Sequence, residues 1–150
     1  MNNPKEIINR KAKYEYSFLQ GFIAGVMLKG TEVKALRKGE GNLTDAYCHF
    51  HGNELYIKSM YIAEYDHGNI HNHETRRDRK LLLKKTELKK IHRQSTEKGL
   101  TIVPYKIFFS ERGYVKIEIF LAQGKKSFDK RQSIKNKDAQ RDLDRIKKMQ

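Results

Sequence analysis

The sequence predicts a mainly β protein with short helices, a small closed antiparallel barrel followed by a basic tail. Three observations predict it. Strand-like runs rich in aromatic and β-branched residues recur between Tyr14 and Ile119, broken by glycine turns. Only two or three short stretches carry helical signals. Residues 124–150 then hold ten Lys/Arg and four Asp, a net of +6, with few apolar residues, too few to offset the entropy of ordering. Six or so strands in about a hundred residues suit a closed barrel.

The elements follow in order. Residues 1–8 read as a frayed lead, and Asn9-Arg10-Lys11 precedes the first strand. Tyr14 to Leu28 is strand-like, with Gly21 and Gly25 as bend points. Gly30 to Gly39 reads as a short helix: Thr31 caps its start, basic residues fill its last turn, and Gly39 takes the left-handed stop. Tyr47–Phe50 and Glu54–Met60 flank His51-Gly52-Asn53 as a hairpin. Tyr65 to Arg79 is a long polar loop that ends at a buried anchor, Leu81-Leu82-Leu83. A helix from about Lys85 to Lys98 turns Leu88 and Ile91 to one face and stops at Gly99. Thr101 to Phe109 is a strand whose Pro104 needs an edge or a bulge. Glu111 to Tyr114 is a turn, and Val115 to Ile119 alternates with period two. The organisation expected is a barrel domain over residues 1–129 and a tail over 130–150.

Charge narrows the partners. The chain carries +14, so residues 1–123 carry +8 (14 − 6) and body and tail are both basic. A pI of about 9.8 points to nucleic acid, with a membrane surface as the weaker rival. No segment has the apolar length of a spanning helix, and Met1 to Lys5 does not read as a signal peptide. The single cysteine, Cys48, fits a reducing cytoplasm and reads as a small buried filler rather than a nucleophile.

Three basic groups stand out: Asn9-Arg10-Lys11, Lys34 with Arg37 and Lys38, and Arg76, Arg77, Arg79 and Lys80. Such cations neutralise phosphates, and nearby Tyr14, Tyr16 and Phe18 offer rings for stacking, although core burial suits these aromatics better. His67, His71 and His73 lie within seven residues. Zinc would need a fourth ligand or an ordered water, and known zinc spacings are absent. The reading is therefore no metal and no cofactor. Asp45, Glu64 and Asp66 are scattered among cations, where salt bridging is the default, and no catalytic signature is present. The chain is read as no enzyme. Its alternatives are a general structured-RNA-binding barrel and a nuclease using the loop histidines with metal.

Five strings, in order and spacing, carry a resemblance: Asn9-Arg10-Lys11-Ala12, Gly30 to Arg37, Asn42 to Tyr47, Arg79 to Leu83, and Gly124 to Arg131. With them the chain resembles the transfer-messenger-RNA-binding protein family of bacteria, also called small protein B or SsrA-binding protein. The resemblance implies an oligonucleotide-binding-like barrel. It implies a non-enzymatic factor of trans-translation that binds the tRNA-like domain of transfer-messenger RNA. The expected partners are that RNA, the small-subunit decoding region and mRNA channel of a stalled ribosome, and elongation factor Tu during delivery. A cytoplasmic monomer is expected. By position, Asn9, Arg10, Lys11, Leu82 and Lys116 are the implied RNA-facing set. The implied ribosome-facing set is Lys125, Lys126, Asp129, Lys130, Arg131, Arg141, Arg145 and Ile146, on a tail that becomes helical on the ribosome. The family often has Glu where this chain has Ile23, His at Tyr14, Pro at Thr75 and Lys at Gln123.

Overall fold

The computed structural model describes residues 4–66, 72–125 and 141. Among them are nine strands and three helices: β1 Ile7–Ile8, α1 Arg10–Glu15, β2 Tyr16–Val26, α2 Gly30–Arg37, β3 Gly41–Asn42, β4 Tyr47–His51, β5 Glu54–Lys58, β6 Tyr61–Ile62, β7 Arg79–Leu82, α3 Lys85–Glu97, β8 Thr101–Phe109 and β9 Val115–Gly124. Seven strands form one antiparallel sheet in the order β1-β8-β9-β2-β7-β5-β4, while β3 pairs with β6. Strand β7 forms where the sequence reads the end of a loop and a buried anchor, and the other unexpected strands are the two-residue ones, too short to leave a periodic signature. One of them corrects the frayed lead: Ile7 and Ile8 pair with Ile107 and Lys106.

The sheet curls until β4 lies alongside β8, but no ladder joins these two strands. Closure at this seam comes from packing, which corrects the fully closed barrel. Helix α3 lies over the seam and sends Ile91, fully buried, into the core. The inner face is a continuous aliphatic cluster, with Leu55, Ile57, Leu81, Ile107, Ile117, Ile119 and Leu121 all at most 1% exposed. Alternation in β9 puts Val115, Ile117, Ile119 and Leu121 inward. Cys48 belongs to the same core, and burial pushes its thiol pKa far up, so it stays a neutral apolar filler. Pro104 sits at a register shift between β8 and β9, the bulge that its missing N–H requires.

A second, smaller cluster lies on the outer face. Ala12 of α1 packs there against Val103 and Ala122, with Tyr16 and Phe18 beside them. Six residues cannot sustain an isolated helix, which is why α1 left no pattern in the sequence. Asn9 supplies its start: the side-chain Oδ1 accepts from the Ala12 N–H at 3.3 Å, and Nδ2 donates to the carbonyls of Leu43 and Pro104, each at 3.2 Å.

Helix α2 begins differently from expectation. Thr31 does not cap it; its hydroxyl lies 2.9 Å from His73 Nδ1. Glu32 reaches back instead and accepts from the Lys29 N–H at 2.8 Å. The same carboxylate, fully buried, accepts from Arg77 Nη2 at 2.6 Å and from Arg79 Nε. Arg79, also fully buried, donates onward to the Met60 carbonyl at 2.6 Å and the Thr75 carbonyl at 3.2 Å. One charge pair thus ties α2, β7 and the loop before β7 together. Burial alone raises the Glu32 pKa; hydrogen bonds from Arg77, Lys29 and Arg79 outweigh it, and the net shift from 4.5 is downward.

Glu32→Gln should destabilise the protein by about 3 to 5 kcal/mol, because it leaves Arg79 buried without a counter-charge. A lowered folded pKa means that the Glu32 contribution is complete above pH 4.5 and is lost as pH falls through the lower folded value. Thermal melting between pH 6 and 2.5 should show the native chain losing stability below about pH 4.5 more steeply than the variant; parallel profiles would refute the assignment. A methyl group at Gly41 would lie 2.8 Å from Leu36 and 3.3 Å from the Tyr61 carbonyl. Gly41→Ala should therefore lower stability by about 1 to 3 kcal/mol in denaturant titration.

Candidate nucleic-acid interface

The outer face of the sheet is where sequence-remote cations meet exposed apolar groups. Register aligns Leu82, Gly25, Lys116 and Phe108 across β7, β2, β9 and β8. Gly25 keeps this row flat: a Cβ there would lie 3.3 Å from Leu82 Cβ and 3.7 Å from Lys116 Nζ. Leu82 is 48% exposed, so the triple leucine is not a uniform buried anchor. Only Leu81 is fully buried, because strand alternation turns its neighbour outward. Lys116 has no ion partner among the described residues. Two residues along the strands, Ile23 faces outward opposite Glu118. Further on, Phe120 stacks on Phe18 with ring centroids 4.4 Å apart, over Gly21.

Beyond that stack lies α1. Arg10, Lys11 and Lys13 are exposed; Lys11 lies 3.8 Å from Glu15, and Lys13 stands 5.3 Å from the Tyr105 ring centre. Phe18 and Gly25 are seven residues apart on β2, so the face from the Phe18–Phe120 stack to Lys116 is about 23 Å long, with α1 beyond its far end. Asn9 stands apart from its neighbours. It is 6% exposed with its amide fully engaged, and it sets the angle of α1 rather than facing outward. Lys125 continues β9, its N–H donating to the Glu15 carbonyl at 2.8 Å. The other tail residues of the expected ribosome set, Lys126, Asp129, Lys130, Arg131, Arg145 and Ile146, lie outside the described residues, and Arg141 is exposed.

Most residues of the remaining basic groups are engaged by contacts within the chain. Arg77 and Arg79 hold Glu32. Arg76 donates to the Ser59 carbonyl, lies 3.8 Å from Asp45 and covers the Tyr61 ring, and Lys80 pairs with Glu54 at 3.0 Å. Lys34 and Lys38 flank the Tyr65 ring at 5.3 and 5.1 Å, and Lys38 reaches Asp66 at 3.9 Å. Sequence proximity alone grouped them as phosphate ligands; the fold uses most of them to fasten the long loop. His73 belongs to the same fastening. It is 3% exposed, with Nδ1 on Thr31 and Nε2 3.0 Å from the Ile62 carbonyl. Both ring nitrogens are engaged, so His73 is not placed to bind metal; His67 and His71 lie outside the described residues.

The model of the SmpB protein family matches residues 6–149. The chain belongs to the SmpB family. Relatives of this SmpB chain include the SsrA-binding proteins of Cytophaga hutchinsonii, 53% identical over 94% of this chain and 92% of the relative, and of Flavobacterium johnsoniae, 49% identical over 95% and 94%. A chain from the solved structure "tmRNA-SmpB: a journey to the center of the bacterial ribosome" is 47% identical and superposes with a TM-score of 0.68, covering 81% of this chain and 85% of that one. Among the described residues of this SmpB chain, no helix is long and apolar enough to cross a membrane.

His73→Ala should lower stability by about 1 to 3 kcal/mol, since it strands the buried Ile62 carbonyl and the Thr31 hydroxyl. Chelator treatment of the native protein should leave its melting temperature unchanged; a fall, with stoichiometric zinc in the untreated sample, would reverse the assignment.

Proposed function

We propose that this protein is an RNA-binding accessory factor of trans-translation: it binds the tRNA-like domain of transfer-messenger RNA and brings that RNA to stalled ribosomes. The observation that carries the reading is the likeness, at 47% identity and TM-score 0.68, to a chain from the tmRNA–SmpB structure on the bacterial ribosome. The outer face described above agrees with it. Arg10, Lys11 and Lys116 supply phosphate contacts, Leu82 supplies an apolar contact, and Asn9 positions α1. The factor acts as a cytoplasmic monomer, without catalysis or a cofactor, and elongation factor Tu accompanies it in delivery.

Residues 1–129 are the RNA-binding unit and 130–150 the ribosome-binding tail. Lys125, Lys126, Asp129, Lys130, Arg131, Arg141, Arg145 and Ile146 engage the decoding region and the empty mRNA channel. The sequence supports this role. Lys137, Arg141, Arg145 and Lys148 recur at helical spacing, and Asp138, Asp142 and Asp144 each stand three or four residues before a cation, the spacing of helical ion pairs. A channel walled by RNA screens those cations and favours the helix.

Binding to transfer-messenger RNA at several salt concentrations tests the interface. Each of Arg10→Ala, Lys11→Ala and Lys116→Ala should flatten the slope of log K against log salt by about 0.7 to 0.9. Asn9→Ala should instead cost about 1 to 3 kcal/mol of stability and leave that slope alone. Unchanged slopes for all three cation variants would remove this face from RNA binding. For the tail, truncation after Arg131 should preserve RNA binding and abolish rescue of stalled ribosomes in vitro. Ile146→Pro should behave like the truncation, since proline inside a helix costs about 3 kcal/mol or more, whereas Ile146→Leu should rescue. Normal rescue by the truncated chain would make the tail passive.

A further inference from the structure

A groove of about 700 Å³ runs between α3 and the β4-β5-β7 edge. Its apolar surface comes from Phe50, Leu83 and Leu88, all partly buried. His92 stands at right angles to Phe50, with ring centroids 4.8 Å apart, and is itself exposed. Along the helix side of the groove lie Lys85, Lys89 and Arg93, each exposed. They recur every four residues, so they form one stripe with a rise of about 6 Å per step, close to the spacing of adjacent phosphates along a nucleic-acid strand. None of the three has an ion partner among the described residues. The one carboxylate in the groove, Glu54, is already paired with Lys80. Leu82 lines the lip, so the groove is continuous with the outer-face row that includes Lys116.

The mixture is specific. Cations alone on a helix are an ordinary solvated face, and an apolar groove alone would suit a peptide. An evenly stepped cationic wall beside a surface that carries two rings has the two components of single-strand recognition: charge that follows the backbone and rings on which bases stack. A paired duplex would present its phosphates but keep its bases out of the groove.

We infer that the α3 groove is a second RNA-contacting surface, one that takes an unpaired strand, with Lys85, Lys89 and Arg93 on its phosphates and His92 with Phe50 against a base. The inference extends the RNA-binding reading above and rests on it for the identity of the natural RNA. The direct probe is nevertheless a synthetic oligoadenylate of twelve nucleotides, so the groove can fail while that reading stands.

Full-length native protein should bind the oligoadenylate, with an RNA duplex of equal length competing poorly. Lys85→Ala/Lys89→Ala/Arg93→Ala should flatten the salt slope by about 2, near 0.7 for each single-strand phosphate that the variant no longer neutralises. His92→Ala, which keeps the salt slope, should weaken binding about fivefold or more because a stacking ring is removed. All these side chains are exposed, and unchanged melting of each variant confirms that the fold is intact. A triple variant that binds the oligoadenylate as the native chain does, or a native chain that does not bind it, overturns the inference. So does a polyglutamate of equal length that competes as well as the RNA, since the groove would then be reading charge alone. With transfer-messenger RNA as ligand, loss of the slope effect at Lys116 but not at the α3 stripe would refute the outer face and leave the groove.

Discussion

The buried pair of Glu32 and Arg79 is the constraint on which the rest of the architecture depends. Two charges at zero exposure are tolerated only because nearly every polar atom around them has a partner. Glu32 takes hydrogen bonds from the backbone at Lys29 and from two arginines, and Arg79 returns bonds to the carbonyls of Met60 and Thr75. Those partners come from α2, from β7 and from the chain between them. Removing either charge would therefore disturb three elements at once. His73, bridging Thr31 and Ile62, repeats the same fastening without charge.

That fastening decides which cations are available for a ligand. Arg76, Arg77, Arg79 and Lys80 are consecutive or nearly so, and together they look like a phosphate-binding run. In the fold they hold a carboxylate, a ring or a backbone carbonyl. Among the cations left facing outward are Arg10 on α1, Lys116 beside Leu82 and Gly25, and the stripe on α3. A basic protein thus divides its charge into a set that fastens loops and a set left open on the surface, and the two sets interleave in sequence.

Asn9 shows how neighbouring residues of one motif can have different physical roles. Asn9-Arg10-Lys11 is a string that points to RNA. Its first member is buried: Oδ1 caps a six-residue helix by accepting from the Ala12 N–H, and Nδ2 ties that cap to the carbonyls of Leu43 and Pro104, while the other two are exposed. The cap is what aims the exposed pair, so the three residues serve one surface by different physical means.

The sequence by itself determined the chemistry of the chain and its longer elements. Period-two alternation marks β9, glycines mark the stops of α2 and α3, and Pro104 marks a bulge, because these follow from backbone rules that act within a few residues. The surplus of positive charge, and the shared strings that identify the SmpB family, are likewise properties of the chain read linearly. Only the tertiary structure decided the rest. The two-residue strands and α1 exist because distant surfaces pack on them, and the seam between β4 and β8 closes through α3 rather than through a ladder. Which arginine is buried, which leucine of three faces outward, and which lysine stands beside Gly25 depend on register between strands tens of residues apart. Burial and register are relations between segments, and local propensity carries no record of them.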